Sequence, residues 1–263
     1  MVRIQDTPPK WGPFTLAQAA DIIQPQPGLC LVFGSEALNL SRTAEALRVY
    51  VGESAKMFVL QQRFTSATGI SNHVSSLVST SLKGRYIMVI DPSTVHSKSH
   101  NLMEILVAIG GRVKELNTEN RLVRVVIILN PINAYQLAHM RYSGDLRLEP
   151  YIDTEVALRK WDYTMVESFL SHMESVNTAP TVNKVLEATG GWPFLIQKMP
   201  YKGAGGILRA VERLKSDLNQ NADNIRQDFF DACGLTSLGD VNKVITMLAD
   251  AGSALLPEDL AEL

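Results

Sequence analysis

The chain has 263 residues, 46% of them apolar and 20% charged, with a formal net charge of −2. This is ordinary globular composition, enough for one large domain or a domain with a small helical companion, and it excludes a global electrostatic pull toward nucleic acid or anionic membrane. No apolar run nears the roughly 20 residues that cross a bilayer, and residues 1–13 lack the apolar core of a signal peptide. Cys30 and Cys233 are the only cysteines. A soluble protein of a reducing compartment, cytoplasmic or otherwise intracellular, is therefore the expectation.

Residues 1–28 are rich in proline and contain one short amphipathic helix, 15–23, with Thr15 as its N-cap. From there the text alternates. Leu29-Cys30-Leu31-Val32-Phe33 is a fully apolar run that ends in Gly34, and 41–51 reads as a helix. Strand 56–60 is followed by helix 70–82, strand 86–90 by helix 100–116, and strand 123–129 by helix 132–140. Leu102, Ile105, Leu106, Ile109 and Val113 recur at helical spacing. Short apolar strands alternating with amphipathic helices predict an α/β parallel sheet covered on both faces. Its functional loops then follow the strand ends, at Gly34, Gln61, Asp91 and Asn130.

After about residue 150 no buried-strand run is seen. Segments 162–173, 181–188, 193–199, 205–218 and 221–232 read as helices, and 237–251 as a last one before a short strand or turn at 252–257. The expected organisation is an N-terminal extension over 1–28, an α/β core over 29–155 and a helical lid over 156–263. The lid would end in a small winged-helix-like unit.

The junction after the first strand carries the most chemistry. A phosphate-binding loop needs a strand, then Gly-x-x-x-x-Gly-Lys-Ser/Thr, then a helix. Its glycines let backbone N–H groups wrap the phosphates, the lysine neutralises their charge, and the hydroxyl holds Mg²⁺. Here Gly34 stands at the first glycine, Asn39 at the second, Leu40 at the lysine and Ser41 at the hydroxyl. Asparagine tolerates left-handed backbone better than most residues, so the loop shape can survive the exchange. Leu40 removes the cation, and Glu36 adds negative charge where phosphates would lie. A strand–glycine–helix junction also matches three such positions by chance. The third strand ends in Asp91-Pro92 and the fourth in Asn130-Pro131, and either pair also serves simply as a turn.

Over residues 28–199 this order resembles the AAA+ and STAND class of P-loop NTPases. Thr189-Gly190-Gly191-Trp192-Pro193-Phe194-Leu195 looks like the Gly-Gly-x-Pro lid motif of that class, and Leu158-Arg159-Lys160-Trp161-Asp162 like the segment that closes its core. In plain mechanics, Gly190 and Gly191 end one helix and Pro193 begins the next. The resemblance implies a P-loop NTPase-like core, ATP or ADP bound at 34–41, Mg²⁺ at Ser41 and Asp91, and γ-phosphate sensing at Asn130. Leu40 and Pro92 depart from the pattern. One removes the phosphate-binding lysine and the other the carboxylate that would prepare the attacking water. The expected function is thus a pseudo-ATPase that acts as a regulatory or protein-interaction subunit, with other protein subunits as partners. An active ATPase completed by a neighbouring subunit, and a DNA-associated regulator using its C-terminal helices, are the alternatives.

Other residues carry weaker signals. His96 and His100 are four apart, but no further ligand accompanies them, so no metal site is assigned. Arg121, Arg124, Arg141, Arg147, Arg159 and Lys160 read either as a source of a cation for a neighbour's phosphate or as solvated charge on strand edges. Lys202, Arg209, Arg213, Lys215 and Arg226 form a basic face interrupted by Glu212, Asp217 and Asp223, a weak signal for nucleic acid. Gly203 to Gly206 reads as a loop before a helix.

Overall fold

A computed structural model describes residues 14–24, 26–52, 54–60, 67–77, 83–90, 99–173, 179–199, 206–220 and 222–234. In order these form α1 (Leu16–Ile22), β1 (Gly28–Phe33), α2 (Thr43–Val51), β2 (Lys56–Leu60), α3 (Ala67–Leu77), β3 (Gly84–Ile90), α4 (Ser99–Leu116), β4 (Arg121–Leu129), α5 (Pro131–Tyr142) and β5 (Ile152–Ala157). Five further helices follow: α6 (Tyr163–Met173), α7 (Ala179–Thr189), α8 (Pro193–Lys198), α9 (Gly206–Gln220) and α10 (Ala222–Ala232). By contact density the chain forms two units. One holds residues 1–34 and 39–161; the other holds 35–38 and 162–263.

The first unit is a five-stranded sheet in the order β2-β3-β4-β1-β5, with every pairing parallel. β1 and β4 are interior strands, and their largely apolar runs, interrupted in β4 by Arg124, are what a sheet covered on both faces requires. On one face Leu29, Leu31, Tyr86, Met88, Val123, Val125 and Ile127 pack with Ile70 and Val74 of α3, Leu102 to Val113 of α4 and Leu137 of α5. The opposite face carries Cys30, Arg124 and α1.

The fifth strand corrects the reading that strands stop at about residue 150. β5 pairs with β1, from Leu29 beside Ile152 to Phe33 beside Ala157. It escaped notice because Ile152-Asp153-Thr154-Glu155-Val156-Ala157 is an edge strand, largely accessible along its length, with only Val156 buried. Edge strands carry polar residues and lack the apolar signature of buried ones.

Arg124, which reads from the sequence as a cation for a neighbour's phosphate or as solvated charge on a strand edge, is neither: it is 2% exposed, in the middle of the sheet. Its guanidinium spends all five N–H donors. Nε donates to the Ile22 carbonyl at 2.6 Å, and Nη1 to Asp153 at 2.6 Å and to the Gln26 carbonyl at 3.1 Å. Nη2 donates to the Asp21 carbonyl at 3.0 Å and to Thr154 Oγ1 at 2.9 Å. Arg85, from β3, donates to the carbonyls of Ile23 and Gln24. The last carbonyls of a helix have no partner within it, so two strand arginines complete the C-terminal end of α1. At the other end of α1, Thr15 and Gln18 form a reciprocal capping box, and Gln18 Nε2 donates to the Ala157 carbonyl at 2.7 Å.

The second unit is helical. Gly190 and Gly191 have φ of 59° and 75°, a left-handed pair that stops α7, with the Gly190 N–H donating to the Leu186 carbonyl at 2.7 Å. Pro193 then opens α8. Trp192 and Phe194 meet Phe229 of α10 edge-on, at 5.0 and 5.8 Å between ring centroids. Lys198 pairs with Asp228 at 2.8 Å. The last helix expected from the sequence, 237–251, and the strand or turn after it lie outside the described residues. Among the described residues no helix is long and apolar enough to cross a membrane.

Candidate functional site at the strand ends

Register brings the loop residues to one edge. Phe33 pairs with Leu129, so Gly34 and Asn130 leave the sheet side by side, and the Gly34 N–H donates to the Leu129 carbonyl at 3.2 Å. After Gly34 the chain makes a 3-10 turn, Glu36–Leu38, then a second, Leu40–Arg42, before α2. Ser35 to Leu38 cluster with the helical unit, where the turn packs against α8 and α10.

Asn39 separates the two turns with φ 62° and ψ 37°, the left-handed geometry that a loop of this kind assigns to glycine. It is the single non-glycine residue with positive φ among the described residues. The asparagine thus holds the backbone shape expected of a glycine at this point.

The side chains tell a different story. Leu40 is 1% exposed, so the position that would hold a cation is packed as core. Gly34 serves packing as well: a Cβ there would lie 2.6 Å from Cδ1 and 3.1 Å from Cβ of Leu158. The glycine is required by a close approach of the chain's own leucine, whose N–H donates to the Phe33 carbonyl at 2.8 Å. Ser41 is exposed. Arg42, the one cation in 34–42, is committed to Glu45 at 2.8 Å. Asn130 caps α5, its Oδ1 accepting from the Asn133 N–H at 2.9 Å. Asp91 and Pro92 lie outside the described residues, and β3 itself ends at Ile90, beside Ile127. The one cation among the described loop residues is thus paired with Glu45, and Leu40 supplies none, so their side chains fit an Mg-triphosphate poorly.

Two residues at this edge were not singled out in the sequence. Thr43 and Asn133 are fully buried, and Thr43 Oγ1 and both polar atoms of Asn133 lack a hydrogen-bond partner among the described residues, as does Asn39 Nδ2. An unmade hydrogen bond of this kind costs on the order of 1–3 kcal/mol. No sequence signal marks them, because a polar residue in a helix's first turn reads as a cap.

The remaining candidates are committed elsewhere. Arg141 pairs with Glu149 at 2.7 Å and also with Glu155, Arg147 with Asp145 at 2.7 Å, and Arg121 donates to the Leu116 carbonyl at 2.6 Å. His96 and the His100 side chain lie outside the described residues, among which no cluster of metal-ligating side chains occurs. A recess of about 240 Å³ opens at the other end of the sheet, lined by Pro27, Val113, Lys114 and Tyr151. On α9, Arg209, Arg213 and Lys215 are exposed with Glu212 and Asp217 among them, so the basic face is interspersed with acid. Lys202 lies outside the described residues.

No family model matches the chain, and no curated protein matches it by sequence. Solved structures do match. A Walker-type ATPase of Pyrococcus abyssi is similar over 81% of this chain and 75% of its own, with a TM-score of 0.50 and 13% identity. The RuvB Holliday junction branch migration motor of Thermotoga maritima is similar over 91% and 74%, with a TM-score of 0.44 and 11% identity. A STAND protein with a tetratricopeptide repeat sensor from Pyrococcus horikoshii is similar over 83% of this chain and 33% of its own, with a TM-score of 0.43 and 11% identity. At these identities the likeness is one of fold alone: the chain shares with the Walker-type ATPase a fold in which a parallel α/β core is joined to a helical unit.

Proposed function

We propose that the chain is a catalytically impaired member of this architecture, working as a regulatory or protein-interaction subunit, with ATP or ADP bound weakly or not at all. The observation that carries this reading is Leu40 packed as core where a phosphate-binding cation belongs. A lysine at that point makes charge-assisted contacts that a leucine has no means to replace. Leu158 seated on Gly34 supports it, because the close-approach position is occupied by protein. On this reading Gly34, Asn39, Leu40, Ser41, Asp91 and Asn130 are the remnant of a nucleotide site, and Gly190, Gly191 and Pro193 its lid motif. Phosphate release from Mg-ATP by the purified chain should equal that of buffer. Turnover that is abolished by Asp91→Ala would instead establish an active ATPase.

A second reading rests on the unpartnered polar atoms of Asn39, Thr43 and Asn133: this edge holds a small polar ligand. Asn133→Leu separates the two. If the edge is vestigial, the variant gains about 1–3 kcal/mol in chemical denaturation, since it deletes unmade hydrogen bonds at similar volume. If a ligand satisfies those atoms, the variant is no more stable than the parent.

A further inference from the structure

At the starts of the strands, opposite the loops of the candidate site, a recess of about 240 Å³ lies between the last turns of α4 and the segments that lead into β1 and β5. Its walls follow from the sequence. Gly110 sits inside α4, where glycine costs about 1 kcal/mol relative to alanine. A Cβ there would lie 2.5 Å from Cγ of Tyr151 and 2.6 Å from its Cβ, so the glycine lets the tyrosine lie directly on the helix backbone. Pro27 and Pro150 supply walls whose φ is locked, and Val113, 1% exposed, supplies a further apolar surface.

The polar groups at this end are of two kinds. Asn117 is fully used: Nδ2 donates to the Val113 carbonyl at 2.7 Å and the Val123 carbonyl at 3.2 Å, and Oδ1 accepts from the Val123 N–H at 2.6 Å. The Leu116 carbonyl accepts from Arg121 Nε at 2.6 Å. The carbonyl end of α4, which would repel an anion, is thus covered, in part by a guanidinium that pairs with no carboxylate among the described residues. Lys114 and the Tyr151 hydroxyl are the groups left over, and neither side chain has a polar partner among the described residues. Glu115, the acid beside Lys114, is committed to Arg112. Lys114 is exposed and carries the only formal charge among the described residues that line the recess.

We propose that this recess binds a small carboxylate with a single-ring apolar body. The ring packs against Tyr151, Val113 and the two prolines; the carboxylate meets the Lys114 ammonium, with the Tyr151 hydroxyl as a second donor. Apolar walls with a few placed polar groups are what small-molecule sites carry, and positive charge without a carboxylate to answer it selects an anion. Size agrees. A cavity of about 150 Å³ holds benzene, so this one admits a ring with a short acid arm. A ligand of about a dozen heavy atoms in an open recess reaches a Kd on the order of 0.1–1 mM. The site shares no residue with the loop at 34–42, so it stands apart from the nucleotide reading.

Amide NMR of the full chain, titrated with 3-phenylpropionate to about 20 mM at constant ionic strength, tests this. Saturable shifts are expected at Gly110, Gly111, Lys114 and Tyr151. Lys114→Gln should weaken binding about threefold or more, and Tyr151→Phe, which keeps the ring, by less. The uncharged 3-phenylpropionamide should bind the parent as weakly as 3-phenylpropionate binds Lys114→Gln. Lys114 is exposed, and an otherwise unchanged spectrum shows that the variant is folded. No saturable shift, or saturable shifts only elsewhere in the chain, overturns the site. Binding indifferent both to Lys114→Gln and to the amide overturns the carboxylate, and acetate producing the same saturable shifts overturns the apolar body.

Discussion

Gly34 is a glycine for a reason unconnected with phosphate. The space its missing Cβ would fill belongs to Leu158, and interiors at crystal-like density do not absorb an added methyl without displacement. Gly34→Ala should destabilise the chain by about 1–3 kcal/mol. Trimming Leu158 to alanine in the same chain should make the glycine substitution nearly neutral, a coupling that a double-mutant cycle in urea reads directly. An additive pair would show that the glycine is needed for something else. At this scale the sequence was informative about identity and silent about environment. That Asn39 tolerates a left-handed backbone was legible, and the structure has it there at φ 62°. That Leu40 and Leu158 are packed at the loop was not, because burial depends on residues far apart in the chain. Thr43 and Asn133 were invisible for the same reason.

At the scale of elements, apolar runs marked four strands well, and helical periodicity marked the helices between them. What failed was the half-exposed edge, β5, and the one arginine inside an otherwise apolar strand. Arg124 in Val123-Arg124-Val125-Val126 is a contradiction in local terms, and contradictions of this kind point to a specific partner. Here the partners are the carbonyl end of α1 and Asp153, so the N-terminal helix is tied into the sheet. Burial pushes the Asp153 carboxyl upward, but hydrogen bonds from Arg124 and Thr154, with the Arg124 charge, outweigh it and hold the group below the usual carboxylate range. A carboxyl depressed by folding contributes stability above its unfolded pKa of about 4, and that contribution is lost as pH falls through the lower folded value. Asp153→Asn should therefore be less stable than the parent at pH 7, and the gap should narrow below about pH 4. Urea midpoints from pH 2 to 7 measure this; a gap constant with pH would mean that the pair contributes nothing through its charge.

For the molecule as a whole, the parallel sheet and the helical unit give the chain the fold it shares with a Walker-type ATPase. The proposed reading is that the loop's side chains have lost the chemistry. Asn39 holds a left-handed backbone while Leu40 beside it is packed as core, so on that reading shape and charge have parted company. That separation is open to direct measurement. Isothermal titration calorimetry with ATP and ADP, with and without Mg²⁺, should be run on the parent and on Leu40→Lys. We predict no binding heat from the parent at millimolar nucleotide. Leu40→Lys should be less stable, because it buries a charge, and should regain stability when Mg-nucleotide is added, as linkage requires of any ligand of the folded state. Micromolar binding of Mg-ATP by the parent chain would contradict the account, since it would show that the site still works without its lysine.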